Sequence, residues 1–318
     1  MRLGTRGSPL ALVQARAVAA AVSENGGGAC EQVVIRTSGD QLTDRPLSET
    51  GGKRLFVKEI EDALLSGVVD LAVHSSKDLP AELPDGLAIG AVLPREDPTD
   101  ALVCAPGGPR DFESLIRHLP ADARVGTGSV RRIAQLRRLL PEARFTLIRG
   151  NVETRLRKLD RGDYDCIVLA SAGLRRLNLA ARLTAAIPPE ICIPAPGQGI
   201  IAIEIRAADE RTRAALARIS DPGALASLTA ERALVSALGG GCQMPIGGYC
   251  RPVGHELELD AIVASLDGSR IARHRARGSQ APAELGRQVA DALLERGAGA
   301  ILAEAKAAGT SVADPDGP

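Results

Sequence analysis

The chain has 318 residues, 45% of them apolar, which is enough for two or three packed domains of roughly 100–150 residues each. Its 39 basic and 39 acidic residues give a net charge of +0, so no overall field attracts nucleic acid or membranes. Aromatic residues make up only 2%, which argues against the base-stacking surfaces of single-strand binders.

The first two thirds of the sequence alternate short β-branched runs with helical patterns. Strands are predicted at 2–6, 31–37, 69–75, 87–93, 101–105, 123–127, 144–150, 166–170 and 200–206. Helices are predicted from Ser8-Pro9 to about residue 22, and over 56–67, 130–140 and 152–162. This alternation predicts mostly parallel sheets with helices on their faces.

Two proline-rich stretches, PREDPTD (94–100) and IPPEICIPAPG (187–197), read as crossings between two α/β lobes with a cleft between them. After residue 222 the pattern changes to a helix at 222–238, a β-hairpin around Asp267-Gly268 and a helix at 281–298. We therefore predict lobe 1 over residues 1–97 with 198–218, lobe 2 over 101–193, and a small α+β domain over 222–318.

The N-terminal residues MRLGTRGSPLALVQ lack the pattern of a signal peptide, and no run of about 18 apolar residues is present. The six cysteines form no CxxC pair, and none of the four histidines is spaced as a zinc ligand. We expect a cytoplasmic protein without a disulfide framework, a membrane span or a metal site.

The strongest local signal is a basic stretch between residues 124 and 158. Its members are Arg124, Arg131, Arg132, Arg137, Arg138, Arg144, Arg149, Arg155, Arg157 and Lys158, opposed only by Glu142 and Glu153. Strand ends and first helical turns favour anion binding for Arg131, Arg132, Arg149 and Arg155. For Arg137, Arg138 and Arg157 a solvated helix face is favoured.

Three further segments contain residue types that could take part in chemistry. Asp78 follows a buried strand, where a lone aspartate is more often a turn residue than a catalyst. Cys242 lies in the glycine loop 239–247, which favours an exposed, reactive thiol, whereas Cys104 and Cys166 lie in apolar strands and are expected to pack in the core. PGQGIIA (196–202) lacks the strand–helix context of a dinucleotide fingerprint. No GxxxxGK[ST] or GxSxG motif occurs.

Nine segments together resemble one family. They are TRGSPLAL (5–12), GGKRLFVKE (51–59), AVHSSKDLP (72–80), REDPTDA (95–101), GTGSVRR (126–132), RGNVETRL (149–156), PAPGQG (194–199), AERA (230–233) and GGCQMPIG (240–247). In this order they are similar to the hydroxymethylbilane synthases, also called porphobilinogen deaminases, over nearly the whole chain.

The resemblance implies two lobes like those of type II periplasmic binding proteins, followed by a small α+β domain. It implies a monomeric transferase of porphyrin, haem and other tetrapyrrole biosynthesis, which condenses four porphobilinogen molecules into hydroxymethylbilane and releases ammonia. It also implies a dipyrromethane cofactor attached by a thioether to Cys242, and Asp78 as the catalytic residue.

The family's binding residues carry over by motif. Cofactor contacts would come from Lys77, Asp78, Thr127, Ser129, Arg131, Arg132, Gly150 and Arg155, and substrate contacts from Arg6, Ser8, Lys53, Phe56, Arg149, Arg155, Arg176 and Gln198. Each pyrrole ring carries two carboxylates, whose burial requires cationic partners. We expect the Asp78 carboxylate to face pyrrole N–H groups and to stabilise the cation left when ammonia departs.

Four residues depart from the family pattern: Glu49, Arg54, Gly128 and Glu153. They bear on the 42–56 loop and the 127–129 turn. Two alternatives remain at this point. One is a non-enzymatic two-lobe receptor for an anionic solute, and the other is a nucleic-acid-binding module that uses the basic stretch 124–158.

Overall fold

The computed structural model describes residues 1–38, 57–241 and 244–308. Its strands are β1 (Arg2–Thr5), β2 (Glu31–Val34), β3 (Leu71–Ser75), β4 (Leu87–Val92), β5 (Asp100–Cys104), β6 (Arg124–Gly126), β7 (Arg144–Thr146), β8 (Cys166–Ala170), β9 (Ala185–Ile187), β10 (Ile201–Arg206), β11 (Ile246–Val253), β12 (Glu256–Ala264) and β13 (Ile271–Gly278). Its α-helices are α1 (Pro9–Glu24), α2 (Lys58–Leu65), α3 (Phe112–His118), α4 (Val130–Leu136), α5 (Val152–Asp160), α6 (Ser171–Arg176), α7 (Glu210–Leu216), α8 (Pro222–Ala237), α9 (Pro282–Glu295) and α10 (Ala298–Ala307).

Two five-stranded sheets share one topology. The first has the order β2-β1-β3-β10-β4 and the second the order β7-β6-β8-β5-β9. Within each sheet one strand is reversed: β10 runs antiparallel to β3 and β4, and β5 runs antiparallel to β8 and β9. Both reversed strands directly follow a crossing between the sheets, so the predicted mostly parallel sheets each gain one antiparallel strand.

The reversed strands bring the crossings to the carboxyl ends of β3 and β8. Ser75, the last residue of β3, lies opposite Ile201, and Ala170, the last residue of β8, lies opposite Asp100. In open α/β sheets, ligands bind outside these strand ends. The topology therefore puts the segments after β3 and β8 beside the crossings, where a cleft was predicted.

The third sheet is antiparallel, with the order β11-β12-β13. Helices α8, α9 and α10 cover one face, and their apolar side chains form a core with those of β11 and β12. The predicted hairpin is present as β12 and β13, with Gly268 at φ 73° in its turn. The fold class predicted from the sequence, two α/β lobes with a cleft and a small α+β domain, is confirmed; the exact domain boundaries stay a prediction.

Six elements were not predicted: β9, β11, α3, α6, α7 and α10. Strand β11 contains two glycines and a proline, which mask its strand pattern. Gly247 is needed there because a side chain would place its Cβ 2.9 Å from the carbonyl oxygen of Ile193, in the second crossing. The helix predicted over 281–298 instead ends at Glu295, because Gly297 adopts a left-handed φ of 88° before α10 begins.

A buried ion pair ties α8 to both crossings. The Glu231 carboxylate accepts hydrogen bonds from Arg95 Nη1 at 2.6 Å, from the Gly197 N–H at 2.5 Å and from the Cys250 N–H at 2.7 Å. Arg95 also lies over the Tyr249 ring, 5.0 Å from its centroid. Because Glu231 is fully buried, loss of either charge would leave the other uncompensated. The third sheet is thus held against the cleft.

None of the helices in the described parts of the chain combines the length and apolar character that crossing a bilayer requires. Within the same ranges, no three His, Cys, Asp or Glu side chains are grouped so that they could hold a metal ion.

Candidate active site

Lys77 and Asp78 lie on a single 3₁₀ turn (Ser76–Asp78) at the carboxyl end of β3. The Ser76 N–H donates to the Ile200 carbonyl at 3.0 Å, which anchors this turn to the second crossing, and Pro80 prevents its continuation as a helix. The two neighbouring side chains line different pockets: Asp78 lines one on the β1–α1 side, and Lys77 lines another toward the third sheet.

The Asp78 pocket is lined by residues from the start of the chain. Arg6 follows β1, and Ser8 caps α1 by accepting a hydrogen bond from the Ala11 N–H at 3.3 Å. Gln14 donates to Ser75 Oγ at 2.9 Å on the pocket wall. The structure therefore brings together three predicted site residues, Arg6, Ser8 and Asp78.

The Lys77 pocket lies where both lobes and the third sheet's helix meet. Its lining comprises Ser76, Lys77, Leu79, Ala81, Ser129, Arg131, Ala195, Pro196, Leu228, Arg232, Val235, Gly241, Met244 and Ile246. It encloses about 630 Å³ including the part open to solvent. Gly241 and Met244, which both line this pocket, stand on either side of the pair Cys242–Gln243 in the sequence.

Asp100 is the main polar residue that the sequence reading missed. It is fully buried at the start of β5, and its carboxylate accepts from Arg131 Nη1 at 2.7 Å and from Arg132 Nη2 at 2.7 Å. Burial alone would raise the pKa of this carboxyl, but the two guanidinium groups outweigh that effect and hold the pKa well below its usual range. Because two guanidinium groups share one carboxylate, this cluster keeps one net positive charge at the base of the cleft.

Their bonds to Asp100 and to backbone carbonyls hold the Arg131 and Arg132 side chains in place. Arg131 Nη1 also donates to the Ile193 carbonyl at 2.8 Å, and Arg132 Nη1 donates to the Val168 carbonyl at 2.7 Å. In the described part of the chain, the buried Arg131 Nε has no hydrogen-bond partner. An unpaired buried donor is costly, so this position suits a ligand acceptor.

Gln198 links this network to Lys77. Its amide Nε2 donates to Asp100 at 2.9 Å and to the Pro98 carbonyl at 2.7 Å, while Oε1 accepts from Lys77 Nζ at 3.3 Å. Burial and the nearby positive charge of Arg132 lower the pKa of Lys77 to about 8, although Asp78 and Asp100 act in the opposite direction. Lys77 is thus a cation that loses its charge at a lower pH than an ordinary lysine.

The opposite wall comes from the second lobe. Gly150, at φ 101°, accepts from Arg155 Nε at 2.8 Å, and Asn151 caps α5 by accepting from the Thr154 N–H. Burial and Arg132 lower the pKa of Arg155 to about 10, and Arg149 adds to that lowering, whereas Asp78 opposes it. Arg149 and Arg155 of one lobe therefore interact electrostatically with each other, and Arg155 with Asp78 of the other lobe.

Three of the remaining predicted residues, Thr127, Ser129 and Arg176, make contacts at the edges of the cleft. Thr127 is buried, and its Oγ1 accepts from the Ser129 N–H at 3.2 Å, while the Ser129 side chain makes no capping bond and lines the Lys77 pocket. Arg176 Nη2 donates to the Gly199 carbonyl at 2.6 Å, in the second crossing. Cys242, Lys53 and Phe56, and the departures Glu49 and Arg54, lie outside the described residues.

Three arginines that the sequence assigned to a solvated face show different contacts. Arg138 and Arg157 are exposed, and Arg157 Nη2 donates only locally, to Thr154 Oγ1 at 3.2 Å. Arg137 is half-buried and lies 5.4 Å from the centroid of the Phe145 ring.

Fold and site define a two-lobed α/β protein whose cationic cleft surrounds one exposed carboxylate, an arrangement suited to small ligands that carry several carboxylates. Residues 1–214 match the family model of the porphobilinogen deaminase dipyrromethane cofactor-binding domain, and residues 225–295 match that of the porphobilinogen deaminase C-terminal domain. The chain belongs to the porphobilinogen deaminase family. Its function is hydroxymethylbilane synthesis, a transferase reaction of tetrapyrrole biosynthesis with a dipyrromethane cofactor.

Similar proteins cover almost the full length. The chain is 49% identical over 306 residues to the porphobilinogen deaminase of Syntrophobacter fumaroxidans, covering 96% of this chain and 97% of that protein. It is 47% identical over 306 residues to that of Syntrophus aciditrophicus, covering 96% and 98%. These findings do not favour the non-enzymatic receptor.

Solved structures give weaker matches. A periplasmic substrate-binding protein of an ABC transporter from Coxiella burnetii has a TM-score of 0.42 at 13% identity, covering 71% of this chain and 94% of that one. The periplasmic VFT2 domain of Bordetella pertussis BvgS has a TM-score of 0.40 at 17% identity, covering 69% and 86%.

Proposed function

We propose that Asp78 is the catalytic residue and that Cys242 carries the dipyrromethane in the adjoining Lys77 pocket. The observation that supports this most is the placement of neighbouring side chains in adjoining pockets. Asp78 lines one pocket with Arg6 and Ser8. Lys77 lines the other pocket, whose lining includes the residues on either side of the pair Cys242–Gln243 in the sequence. Substrate and cofactor would then meet at the 3₁₀ turn.

The residues present fit a dipyrrole that carries four carboxylates. Lys77 and Arg131 provide cations at the pocket, Arg131 Nε is a buried donor without a partner among the described residues, and Leu79, Val235 and Ile246 give apolar surface for the rings. Lys77, Ser129, Arg131, Arg132 and Arg155 would hold the carboxylates, with Thr127 and Gly150 shaping the backbone. When bound, the dipyrromethane supplies the pyrrole carbon onto which the first substrate is added.

The substrate side follows from charge. Arg6 and Arg149 would pair with the acetate and propionate of porphobilinogen, with Ser8, Lys53, Arg155, Arg176, Gln198 and Phe56 completing the enclosure. A charge-assisted hydrogen bond contributes about 1.5–3 kcal/mol, so several are needed to offset burial of each added ring. The Asp78 carboxylate would face the pyrrole N–H and stabilise the substrate cation that forms as ammonia leaves.

We also propose a cytoplasmic monomer that does not bind nucleic acid. The net charge of +0 and the 2% aromatic content support this, since nucleic-acid binding relies on excess positive charge and stacking faces. The salt dependence of DNA retention and the mass of the protein in solution test both points.

Replacing Arg149 by Leu tests the substrate side of the cleft. We expect kcat/KM for porphobilinogen to fall about 10–100-fold, since one charge-assisted contact is lost. The matched control is Arg157→Leu in the neighbouring helix α5, whose side chain is exposed and donates to Thr154 Oγ1 within the same helix, and which should stay within about twofold of the parent. Equal activity of the parent and Arg149→Leu would mean that the substrate carboxylates bind elsewhere.

The pH dependence of kcat/KM tests Lys77. The pKa of Lys77 is about 8, so its ammonium group is charged below that pH. As the pH rises, the group loses its charge and its attraction for carboxylates weakens. Carboxylates of the bound dipyrromethane would raise the pKa of Lys77 further, so we expect kcat/KM to fall on the alkaline side at or above pH 8. In Lys77→Arg the guanidinium stays charged, and this alkaline fall should move up by about one pH unit or more. A fall at the same pH in both proteins would assign it to another group.

A further inference from the structure

Two cysteines outside the cleft lie directly opposite each other in the second lobe's sheet. Cys104 is the last residue of β5, and its register partner on the antiparallel strand β8 is Cys166. Both side chains belong to the same apolar cluster, so they point to the same face of the sheet. Cys166 is buried and Cys104 is half-buried, so Cys104 is the more accessible of the two residues.

The backbone shows which kind of antiparallel pair they form. The Ser171 N–H donates to the Thr99 carbonyl at 3.0 Å, so Thr99 and Ser171 form a hydrogen-bonded pair. Hydrogen-bonded and non-hydrogen-bonded pairs alternate along antiparallel strands. Cys104 is five residues beyond Thr99, so Cys104 and Cys166 form a non-hydrogen-bonded pair. Consistently, the Cys104 N–H donates to Thr184 Oγ1 at 2.9 Å, on the other side of β5. In such a non-hydrogen-bonded pair the Cα atoms are about 4.5 Å apart, which is within the 4.4–6.8 Å range that a disulfide spans.

The thiols also differ in acidity in the way a reactive pair requires. A hydrogen bond from Cys166 lowers the pKa of Cys104, while the same bond together with burial raises the pKa of Cys166. Of the two thiols, Cys104 therefore ionises more readily to the thiolate, which is the nucleophile, and it belongs to the less buried residue. The sequence had suggested inert core packing for both residues, because each lies in an apolar strand and the register is not visible from the sequence.

We propose that Cys104 and Cys166 form a redox-active dithiol that reacts with small disulfides, such as glutathione disulfide, and closes reversibly into a cross-strand disulfide. The Cys104 thiolate attacks one sulfur of glutathione disulfide and releases one glutathione thiolate. Cys166 then loses its proton and attacks Cys104 Sγ, which releases the second. Two protein thiols are oxidised and one glutathione disulfide is reduced to two glutathione molecules.

The site is separate from the candidate active site. Asp100 begins β5 at the cleft, and Cys104 lies four residues further along the strand, about 13 Å away at 3.3 Å per residue. Oxidation would join β5 to β8 at the end remote from the cleft. The proposal does not rest on the roles of Asp78 or Cys242, and its test reads thiol state, not turnover.

The test uses the cofactor-loaded full chain. The folded protein is incubated with glutathione disulfide, then unfolded in N-ethylmaleimide, digested and analysed by mass spectrometry. We expect a linked peptide pair containing Cys104 and Cys166, two hydrogens lighter than the free thiols and absent after dithiothreitol. Cys30, which is half-buried and whose pKa burial raises, serves as the internal control and should carry maleimide.

A variant separates the two steps. In Cys166→Ala the resolving thiol is absent, so a single glutathione should remain on Cys104 and no linked pair should form. Maleimide on both Cys104 and Cys166 of the parent protein after incubation would overturn the proposal. So would a glutathione adduct that persists on Cys104 while Cys166 is present, because it would show that the second thiol cannot reach the first.

Discussion

Replacing Asp78 by Asn is expected to lower turnover of porphobilinogen by about 100-fold or more while the protein still folds and carries its cofactor. The change removes one negative charge and keeps the shape of the side chain. Asp78 is exposed at the end of the Ser76–Asp78 turn, so little folding energy depends on it. A carboxylate that stabilises a developing cation or moves a proton contributes about 10²–10⁴ in rate.

The measurement is steady-state turnover combined with intact mass, so that loss of chemistry is distinguished from loss of cofactor. Asp85→Asn is the matched control: it removes the same charge from an exposed position in the loop before β4 and should leave turnover unchanged. Near-parent turnover of cofactor-loaded Asp78→Asn would refute the catalytic role. A variant that lacks the cofactor mass would instead mean that Asp78 acts in loading.

The lobe architecture could be predicted from sequence because it depends on local patterns. Strands such as Leu71–Ser75 and Cys166–Ala170 are short apolar runs, and helices such as Pro9–Glu24 carry their own caps. The reversed direction of β5 and β10 could not be predicted this way, since strand direction depends on how the chain crosses between lobes and not on side-chain periodicity.

The same distinction between local sequence patterns and long-range contacts applies to the site residues. Arg131 and Arg132 could be singled out because a strand end and a helix start adjoin in sequence, but their shared partner Asp100 comes from 31 and 32 positions earlier. The only local sign was an acidic residue at the first position of an apolar strand, where a solvated charge is the ordinary expectation. The Gln198–Lys77 link spans 121 positions and has no local signal.

The cluster also shows why arginine count alone misleads. Asp100 neutralises one of the two guanidinium charges, so Arg131 and Arg132 together offer a ligand one net charge, not two. With the residue roles proposed above, growth of the product would depend on recruiting the other cations, Arg6, Arg149, Arg155 and Arg176, as carboxylates accumulate.

Replacing Cys242 by Ser is expected to abolish stable attachment of the dipyrromethane, so that the purified protein has the mass of the bare chain. A thioether requires a sulfur nucleophile, and a serine hydroxyl is far less acidic and less nucleophilic than a thiol at neutral pH. The other cysteines are poor candidates. Burial raises the pKa of Cys192 to about 12 and that of Cys250 to about 12, and Cys104 and Cys166 lie at the end of β5 and β8 remote from the cleft.

The decisive measurement is the intact mass of parent and variant, followed by mapping of the mass excess to a peptide. Cys30→Ser is the matched control, since it removes a half-buried thiol remote from the Lys77 pocket lining and should keep the full excess. A dipyrrole still bound in Cys242→Ser but lost in Cys30→Ser would relocate the attachment. It would also remove the reason for assigning the Lys77 pocket to the cofactor, because that assignment depends on Gly241 and Met244, which stand on either side of Cys242 in the sequence, lining the pocket.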